Sequence, residues 1–411
     1  MSRNYLLEYE CIACNTLVPV RPFLYACPAC GSNLDAKYDY EKLKTEWSKE
    51  KLAGDPEKSI WRYFPLLPVG FKPADTSLQV GGTPLVSGSK FAKKLDLRQI
   101  FLKDDTRNPS GSLKDRATEV SIQHAEEQNL NILLAASTGN AAASLACLAA
   151  YHGKQAVILA PASAPPAKLI QIIQYGAKLY PVDGNYDDAF ELSLEIEKKY
   201  GWYLRSTGIN PVLSEGKKTA ALELAEQLNW NLPDQVFVPV GDGCIIGGIY
   251  KGFYDLYQLG WITKLPKLVA VQAEGSNAVV KALTSDHLTA VEASTAADSI
   301  SVNYPRDGEK ALRAVKKTGG YGISVSDEEI FEAQHILAQT TGIFAEPAAA
   351  AAAAGVIKAR CGGLVNSKES AALIITGSGL KDIKTGGKFI TIPPAGSRDL
   401  KAFSLYWNKN G

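Results

Sequence analysis

Lys114 lies in the segment NPSGSLKDR (108–116), between a predicted strand at 99–103 and a predicted helix. It falls at the helix N-terminus, where the helix dipole favours anions and disfavours an ammonium group. A neutral amine in a Schiff base, or a bound anion beside the lysine, would remove that cost, because desolvation and a positive dipole both lower an amine pKa. The alternative is a surface lysine, with Asp115 and Arg116 as solvated charges of the helix.

Three more loops follow predicted strands and carry small or polar residues. ASTGNAAAS (136–144) offers hydroxyls and free N–H groups that suit a carboxylate, although the same pattern also caps ordinary helices. VGDGCIIGG (240–248) lets backbone N–H groups approach a phosphate, but it matches neither the P-loop nor the dinucleotide fingerprint. TGSGLKD (376–382) places the Thr376 hydroxyl where it can hydrogen-bond a neutral ring nitrogen or cap a turn. Ligands of open α/β sheets bind beyond the strand carboxyl ends, so we expect the functional site at these loops.

Four cysteines form two CxxC pairs in a short, turn-rich segment at residues 1–35: Cys11, Cys14, Cys27 and Cys30. Two such pairs can present four thiolates tetrahedrally to zinc, and the alternative is a ribbon that no longer holds metal. The segment is not basic, which argues against a nucleic-acid role. The other three cysteines of the chain are scattered, which makes a poor disulfide framework.

The secondary-structure elements predicted on either side of these loops are strands and helices in alternation. Near-continuous apolar runs predict strands at 99–103, 132–136, 156–160, 178–182, 202–206, 235–240, 267–274 and 371–377. Between and after them, helices are predicted at 141–153, 164–176, 186–201, 219–228, 245–260, 326–342 and 346–360. This alternation predicts an α/β fold with parallel sheets covered on both faces.

Composition places the chain among ordinary globular proteins. It has 411 residues, of which 46% are apolar and 21% charged, so two or three domains are expected. A net charge of +1 gives no basic surface for nucleic acid. The first ten residues are too polar for a signal peptide, and there is no apolar run long enough to span a membrane. These features predict a cytoplasmic protein.

Together and in this order, the loops resemble those of the fold-type II pyridoxal phosphate enzymes of the tryptophan synthase β-like family, most closely the threonine synthases. The resemblance covers nearly the whole chain, and its further motifs are GNYDDAF (184–190), NPVLSEGKKT (210–219) and GIFAEPA (342–348). It implies two parallel-sheet, three-layer domains behind an N-terminal zinc-ribbon-like segment. The implied bounds are 1–35 for the ribbon, 36–134 with 210–411 for a large cofactor-binding domain, and 135–209 for a small α/β domain carrying the STGN loop.

The same resemblance implies roles for individual residues. Lys114 would join pyridoxal phosphate as a Schiff base and, once displaced by the substrate, would act as the base at Cα. Asn140 would hydrogen-bond the phenolic oxygen, and Thr376 would face an unprotonated pyridine nitrogen, which favours elimination and replacement over transamination. The 5′-phosphate would be held by the backbone amides of Gly241, Asp242, Gly243, Cys244 and Ile245. The substrate carboxylate would be bound by Ser137, Thr138 and Ala141.

Two features depart from the threonine synthase pattern. Where those enzymes usually carry the arginine that grips the phosphate of O-phosphohomoserine, this chain has Leu213, which cannot replace a bidentate phosphate ligand. The loop GDGCIIGG is more similar to that of dehydratases and cysteine synthase relatives. Four basic residues could take over the phosphate, although each is more often a solvated surface charge: Arg205, Lys217, Lys218 and Arg306.

The resemblance therefore predicts a carbon–oxygen lyase of amino-acid biosynthesis that acts on a small amino-acid substrate and forms a homodimer. The nearest activity is conversion of O-phosphohomoserine to L-threonine. The alternatives within enzymes are a cysteate synthase-like reaction on O-phosphoserine and a threonine dehydratase-like deamination. A binding or regulatory protein without catalysis is the alternative from another class, and Lys114, Asn140 and Thr376 together argue against it.

Overall fold

The structure is a computed structural model, and it describes residues 5–406 except 165, 207, 388, 389, 394, 402 and 405. In chain order the strands are β1 (Leu6–Cys11), β2 (Leu17–Val18), β3 (Leu34–Tyr38), β4 (Leu85–Ser87), β5 (Gln99–Asp104), β6 (Ile132–Ala136), β7 (Gln155–Pro161), β8 (Lys178–Val182), β9 (Tyr203–Leu204), β10 (Gln235–Pro239), β11 (Lys267–Ala273), β12 (Tyr321–Val325) and β13 (Ser370–Ile375). The helices are α1 (Tyr40–Glu46), α2 (Lys49–Ala53), α3 (Ser89–Lys94), α4 (Lys114–Glu127), α5 (Asn140–Tyr151), α6 (Pro166–Gln174), α7 (Tyr186–Tyr200), α8 (Pro211–Lys217), α9 (Thr219–Gln227), α10 (Cys244–Gln258), α11 (Ala278–Ser285), α12 (Gly308–Lys317), α13 (Asp327–Thr341), α14 (Pro347–Cys361) and α15 (Ile383–Gly386).

The larger sheet has six strands in the order β12-β11-β10-β13-β5-β4, and all neighbours run parallel except β4 and β5. Successive side chains of a strand point to opposite faces, so Val236 and Val238 enter one hydrophobic core while Phe237 enters another. Helices α9, α10 and α12 cover the first face, and α3, α13 and α14 cover the second. This unit is therefore a three-layer α/β sandwich.

The smaller sheet has the order β8-β7-β6-β9 with every neighbouring pair parallel. Its strands also alternate, since Leu133 and Ala135 pack in one core with α4 and α5, whereas Leu134 and Ala136 pack in another with α7. The expectation of an α/β fold with two parallel-sheet, three-layer units is confirmed. The domain bounds given above stay a prediction.

A third, antiparallel sheet of order β2-β1-β3 begins the described chain. Its apolar side chains, among them Tyr9, Val18 and Leu34, belong to the same hydrophobic core as those of α10 and α12. The N-terminal sheet therefore packs against the helical layer of the larger sheet that contains α10 and α12.

Several elements were not predicted, and the reason is clear for two of them. Strand β12 lies at the sheet edge and is half-buried, so it lacks the continuous apolar run of the central strands. Helix α8 is buried along its whole length, including Glu215 and Lys217. Its sequence therefore lacks the alternation of apolar and polar faces from which a surface helix is predicted. Within the described residues, we find no helix with the length and apolar character needed to cross a membrane.

Candidate active site

A cavity of about 650 Å³ opens where the carboxyl ends of β6, β10 and β13 meet the start of α4. Its volume lies within the roughly 300–1,000 Å³ that is usual for small-molecule sites. The structure brings every non-metal site residue named from the sequence into the wall of this cavity: Lys114, Ser137, Thr138, Asn140, Ala141, Gly241, Asp242, Gly243, Cys244, Ile245 and Thr376. These residues come from four loops that are far apart in the chain: three follow β5, β10 and β13 of the larger sheet, and the fourth follows β6 of the smaller sheet.

Lys114 is the first residue of α4, as expected, and the turn before it is fastened to the loop after β13. The backbone N–H of Leu113 donates to the Thr376 carbonyl at 2.9 Å, and Ser112 forms a bridge with Gly377. Asp115 organises the turn, since it accepts from the Ser110 backbone N–H at 2.7 Å and from the Ser110 hydroxyl at 2.5 Å. The backbone around Lys114 is therefore fixed by the loop after β13 and by the hydrogen bonds between Ser110 and Asp115.

Asp115 and Arg116 are fully buried, so the alternative of solvated helix charges is wrong. The Arg116 guanidinium donates from Nε to Asp105 at 2.7 Å and from Nη1 to Glu223 at 2.6 Å. The Lys103 ammonium pairs with the same Glu223 at 2.6 Å. This buried cluster of charges anchors the first turn of α4 to β5 and α9.

Burial lowers the pKa of Lys114 to about 8, and the positive charge of Lys217 acts in the same direction. The negative charge of Glu346 opposes this shift. A lysine with a pKa near neutrality supplies the uncharged amine that nucleophilic and base catalysis require.

Glu346 is a cavity residue that the sequence reasoning did not single out. It is buried immediately before Pro347, the first residue of α14, and its backbone N–H donates to the Gly377 carbonyl. The side-chain amide of Asn140 donates to its two carboxylate oxygens at 2.8 and 3.0 Å. An acid directly before a proline at a helix start is the local signal that could have drawn attention to it.

The glycine loop is shaped by one residue in a left-handed conformation. Gly243 has φ +94° and directly precedes α10, and a Cβ added there would lie 2.5 Å from the Asp307 carbonyl oxygen. Asp242 accepts from the Arg306 backbone N–H at 3.3 Å, and burial raises the pKa of its carboxyl to about 6. The loop therefore ends at a helix N-terminus with room only for backbone, which is a geometry suited to an anion.

Three of the four basic candidates are buried, so the expectation of solvated surface charges is wrong for Arg205, Lys217 and Lys218. The Lys218 ammonium pairs with Glu215 and Asp255, and Lys218 does not line the cavity.

Arg306 and Arg205 line the cavity but are already engaged by neighbours. The Arg306 guanidinium pairs with Asp187 at 3.1 Å and lies over the Phe190 ring. The Arg205 guanidinium donates to the Thr118 hydroxyl at 3.0 Å.

Lys217 also lines the cavity, and it differs from Arg205, Lys218 and Arg306 in its hydrogen bonding. Its Nζ is fully buried and has no hydrogen-bond partner within the part of the chain that the structure describes. Burial is the main reason that its pKa lies below the ordinary value. Helix α8 approaches α10 closely at this point, because Gly248 leaves space that a Cβ would fill at 2.9 Å from the Lys217 Cβ.

Comparison with known proteins agrees with this geometry. A sequence profile described as pyridoxal-phosphate dependent enzyme matches residues 76–377. The chain is 40% identical to a threonine synthase of Methanocaldococcus jannaschii over 91% of this chain and 92% of that one. It is 38% identical to a threonine synthase of Methanosarcina acetivorans over 92% and 93%.

Solved structures share the fold at lower identity. An L-serine ammonia-lyase from Rhizomucor miehei superposes with a TM-score of 0.64 at 24% identity, covering 72% of this chain and 93% of that one. Diaminopropionate ammonia lyase from Escherichia coli superposes with a TM-score of 0.65 at 19% identity, covering 81% and 92%.

Proposed function

Because this chain belongs to the family of pyridoxal-phosphate dependent enzymes, we propose that it is a threonine synthase-like lyase that converts O-phosphohomoserine to L-threonine. Pyridoxal phosphate is its cofactor. The observation that carries the choice of a phosphate-bearing substrate is the buried Lys217 ammonium in the cavity wall, which has no partner among the described residues.

The residues present fit the cofactor. Lys114 offers an amine with a pKa of about 8 for the aldehyde, and the loop before α10 offers backbone N–H groups where a Cβ at Gly243 would clash. Thr376, which is buried at the end of β13, offers a neutral hydroxyl for a ring nitrogen. When bound, pyridoxal phosphate supplies the electron sink for negative charge at the substrate Cα.

The protein side chains then bind, orient and move a proton. We assign Lys114 two duties, which are to hold the cofactor and to transfer a proton at the substrate Cα. Ser137, Thr138 and Ala141 flank the start of α5, where hydroxyls and free N–H groups suit the substrate carboxylate. The Asn140 side-chain amide donates to both carboxylate oxygens of Glu346 in the structure, and we propose that it donates to the phenolic oxygen once the cofactor is bound.

We propose that Lys217 takes the place of the missing phosphate-binding arginine. Leu213 and Lys217 lie four residues apart on α8, and such residues are neighbours on one helix face. A phosphate would supply the hydrogen-bond partner that the buried Lys217 Nζ lacks among the described residues, and its negative charge would favour the ammonium form of the lysine. The phosphate could come from the substrate or from the cofactor, and the following variant separates the two sources.

Lys217→Met is expected to raise the KM for O-phosphohomoserine by roughly 10–100-fold, the usual effect of losing one charge-assisted hydrogen bond. Steady-state kinetics give this value, and Lys384→Met, which removes an exposed lysine, is the matched control and should change nothing. If Lys217 instead serves the cofactor, the variant will weaken binding of pyridoxal phosphate but not of pyridoxal, while the KM stays constant. Unchanged values in both measurements would refute any phosphate role for Lys217.

A substrate panel tests the proposed reaction directly. We expect phosphate release and threonine formation with O-phosphohomoserine, and no turnover of O-phosphoserine with sulfite or sulfide. Turnover of O-phosphoserine would support the cysteate synthase-like alternative. Release of ammonia from threonine would support the dehydratase-like alternative and would overturn the proposal.

Attachment of the cofactor to Lys114 should depend on pH in a way that two variants shift in opposite directions. The neutral amine is the reactive form, so the attachment rate of the cofactor-free protein should rise with pH and level off above about 8. Glu346→Gln removes a charge that favours the ammonium form, so its midpoint should fall. Lys217→Met removes a charge that disfavours that form, so its midpoint should rise. Stopped-flow absorbance after adding pyridoxal phosphate measures both, and coincident profiles would contradict the assigned electrostatics.

We also propose a homodimer that acts in the cytoplasm. None of the seven cysteines, all of which lie in the described part of the chain, is in a disulfide, which suits a reducing compartment. Ile383, Ile390 and Ile392 each expose more than half of their surface near the C-terminus, and association would cover such apolar side chains. Light scattering on the purified protein gives the mass, and a mass of one chain would exclude the dimer.

A further inference from the structure

The two CxxC pairs of the N-terminal sheet converge on one point. The four sulfur atoms of Cys11, Cys14, Cys27 and Cys30 all lie within 4.8 Å of one another. The Cys14 sulfur is 3.7 Å from that of Cys27 and 3.4 Å from that of Cys30. Zinc–sulfur bonds of about 2.3 Å place the four sulfurs of a tetrahedral site about 3.8 Å apart, so the cluster is already close to the size that zinc requires.

A short path leads from this cluster to the glycine loop of the active site. Asn33 follows Cys30 by three residues, and its side-chain amide donates to Asp307 at 2.7 Å and to the Gly208 carbonyl at 2.6 Å. The Asp307 backbone N–H donates in turn to the Asp242 carbonyl at 2.9 Å. The Asp307 carbonyl also lies against Gly243, where it closes the space that a side chain would need.

The next residues of β3 extend the same attachment to α12. The Leu34 carbonyl accepts from the Lys310 ammonium at 2.8 Å, and Asp35 pairs with Lys310 at 3.1 Å and with Arg313. Lys310 is buried and the Asp35 side chain is only 13% exposed, so this ion pair is largely shielded from water. Residues 33–35 are thus the segment through which the N-terminal sheet reaches the active-site loop.

We infer that Cys11, Cys14, Cys27 and Cys30 bind one zinc ion, and that the bound metal holds Asn33 against Asp307 and so stabilises the glycine loop. Four thiolates are the ligand set that selects zinc among the common divalent ions. Between β1 and β3 the described chain has only the two-residue strand β2, so metal binding can decide whether residues 12–33 keep their conformation. The metal half of the inference is independent of the proposed function, whereas the second half rests on the loop holding the cofactor phosphate.

Metal content and cofactor affinity test the two halves separately. Elemental analysis should find one zinc per chain in the wild-type protein and in Cys361→Ser, which removes an exposed cysteine outside the cluster, but none in Cys14→Ser. A spectroscopic titration with pyridoxal phosphate should then show binding weakened about tenfold in Cys14→Ser and in chelator-treated wild-type protein, since loop hydrogen bonds are lost. Asn33→Ala is the decisive variant, because it should keep the zinc and show the same weakening.

Each result has one meaning. Absence of zinc from the wild-type protein, after growth and purification with zinc present, would overturn the metal site. Normal cofactor affinity in both Asn33→Ala and the chelated protein would overturn the coupling, even if zinc is bound. If Cys14→Ser does not fold, chelation of the folded wild-type protein and Asn33→Ala still decide the matter. A zinc-containing protein that binds cofactor normally but does not convert O-phosphohomoserine would contradict only the proposed reaction.

Discussion

Lys114→Ala is expected to lower turnover by on the order of 10³-fold or more, because it removes both the covalent attachment and the proton-transfer group. The lysine is suited to both duties, since burial holds its pKa at about 8 and its turn is fastened to the loop after β13. Turnover with O-phosphohomoserine gives the rate. Mass spectrometry after borohydride reduction should find the cofactor on the peptide that contains Lys114 in the wild-type protein and on no peptide of the variant.

The control for this experiment is Lys264→Ala, which removes an exposed lysine in the loop before β11. It should keep the wild-type rate and the adduct at Lys114. A Lys114→Ala protein that retains turnover, or a wild-type adduct on Lys217 instead, would show that the assignment of the reactive amine is wrong.

Arg116→Met should lower the free energy of unfolding by about 3–5 kcal/mol, the usual cost of removing one partner from a buried ion pair. The variant would leave Asp105 without its buried counter-ion, and Glu223 with Lys103 alone. Since Arg116 also anchors the first turn of α4, we expect slower cofactor attachment at Lys114 in the protein that remains folded. Urea denaturation followed by circular dichroism measures the stability change.

Arg360→Met is the matched control for this effect. Arg360 pairs with Asp96 at 2.9 Å, but Asp96 is 83% exposed, so the pair should contribute less than about 1 kcal/mol. Equal destabilisation by the two variants would mean that the buried cluster contributes no more than a surface pair.

The site could be predicted from the sequence as far as its loops are concerned. Lys114, Asn140, Gly243 and Thr376 were each placed after a predicted strand, and in a parallel sheet all carboxyl ends face one edge. That rule brings Lys114, Gly243 and Thr376 together, but Asn140 follows β6 of the smaller sheet, so its place in the cavity depends on how the two sheets pack. The weak or edge elements, such as β12, were missed because their local pattern is neither continuous nor clearly alternating.

The charged residues were harder to predict, because burial of a charge is not a local property. Lys217 and Lys218 are adjacent in a short polar stretch, yet one lines the cavity without a partner among the described residues and the other pairs with Glu215 and Asp255. Glu346 likewise acquires its importance from Asn140, which lies on another element. The sequence around Lys217 and Lys218 does not distinguish the two lysines, whereas Glu346 had only the proline after it as a local signal.

Residue type and chain order were enough to predict the α/β class, the four loops and the paired cysteines from short-range periodicity and spacing, whereas the role of Lys114 was predicted from the family resemblance and stays a proposal. Packing of α8 against α10 and of the N-terminal sheet against α12 determined the rest, namely which ammonium faces the cavity and how Asn33 reaches the glycine loop. The physical reason is that desolvation and hydrogen bonding depend on every neighbour in space, and those neighbours come from segments separated by a hundred or more residues.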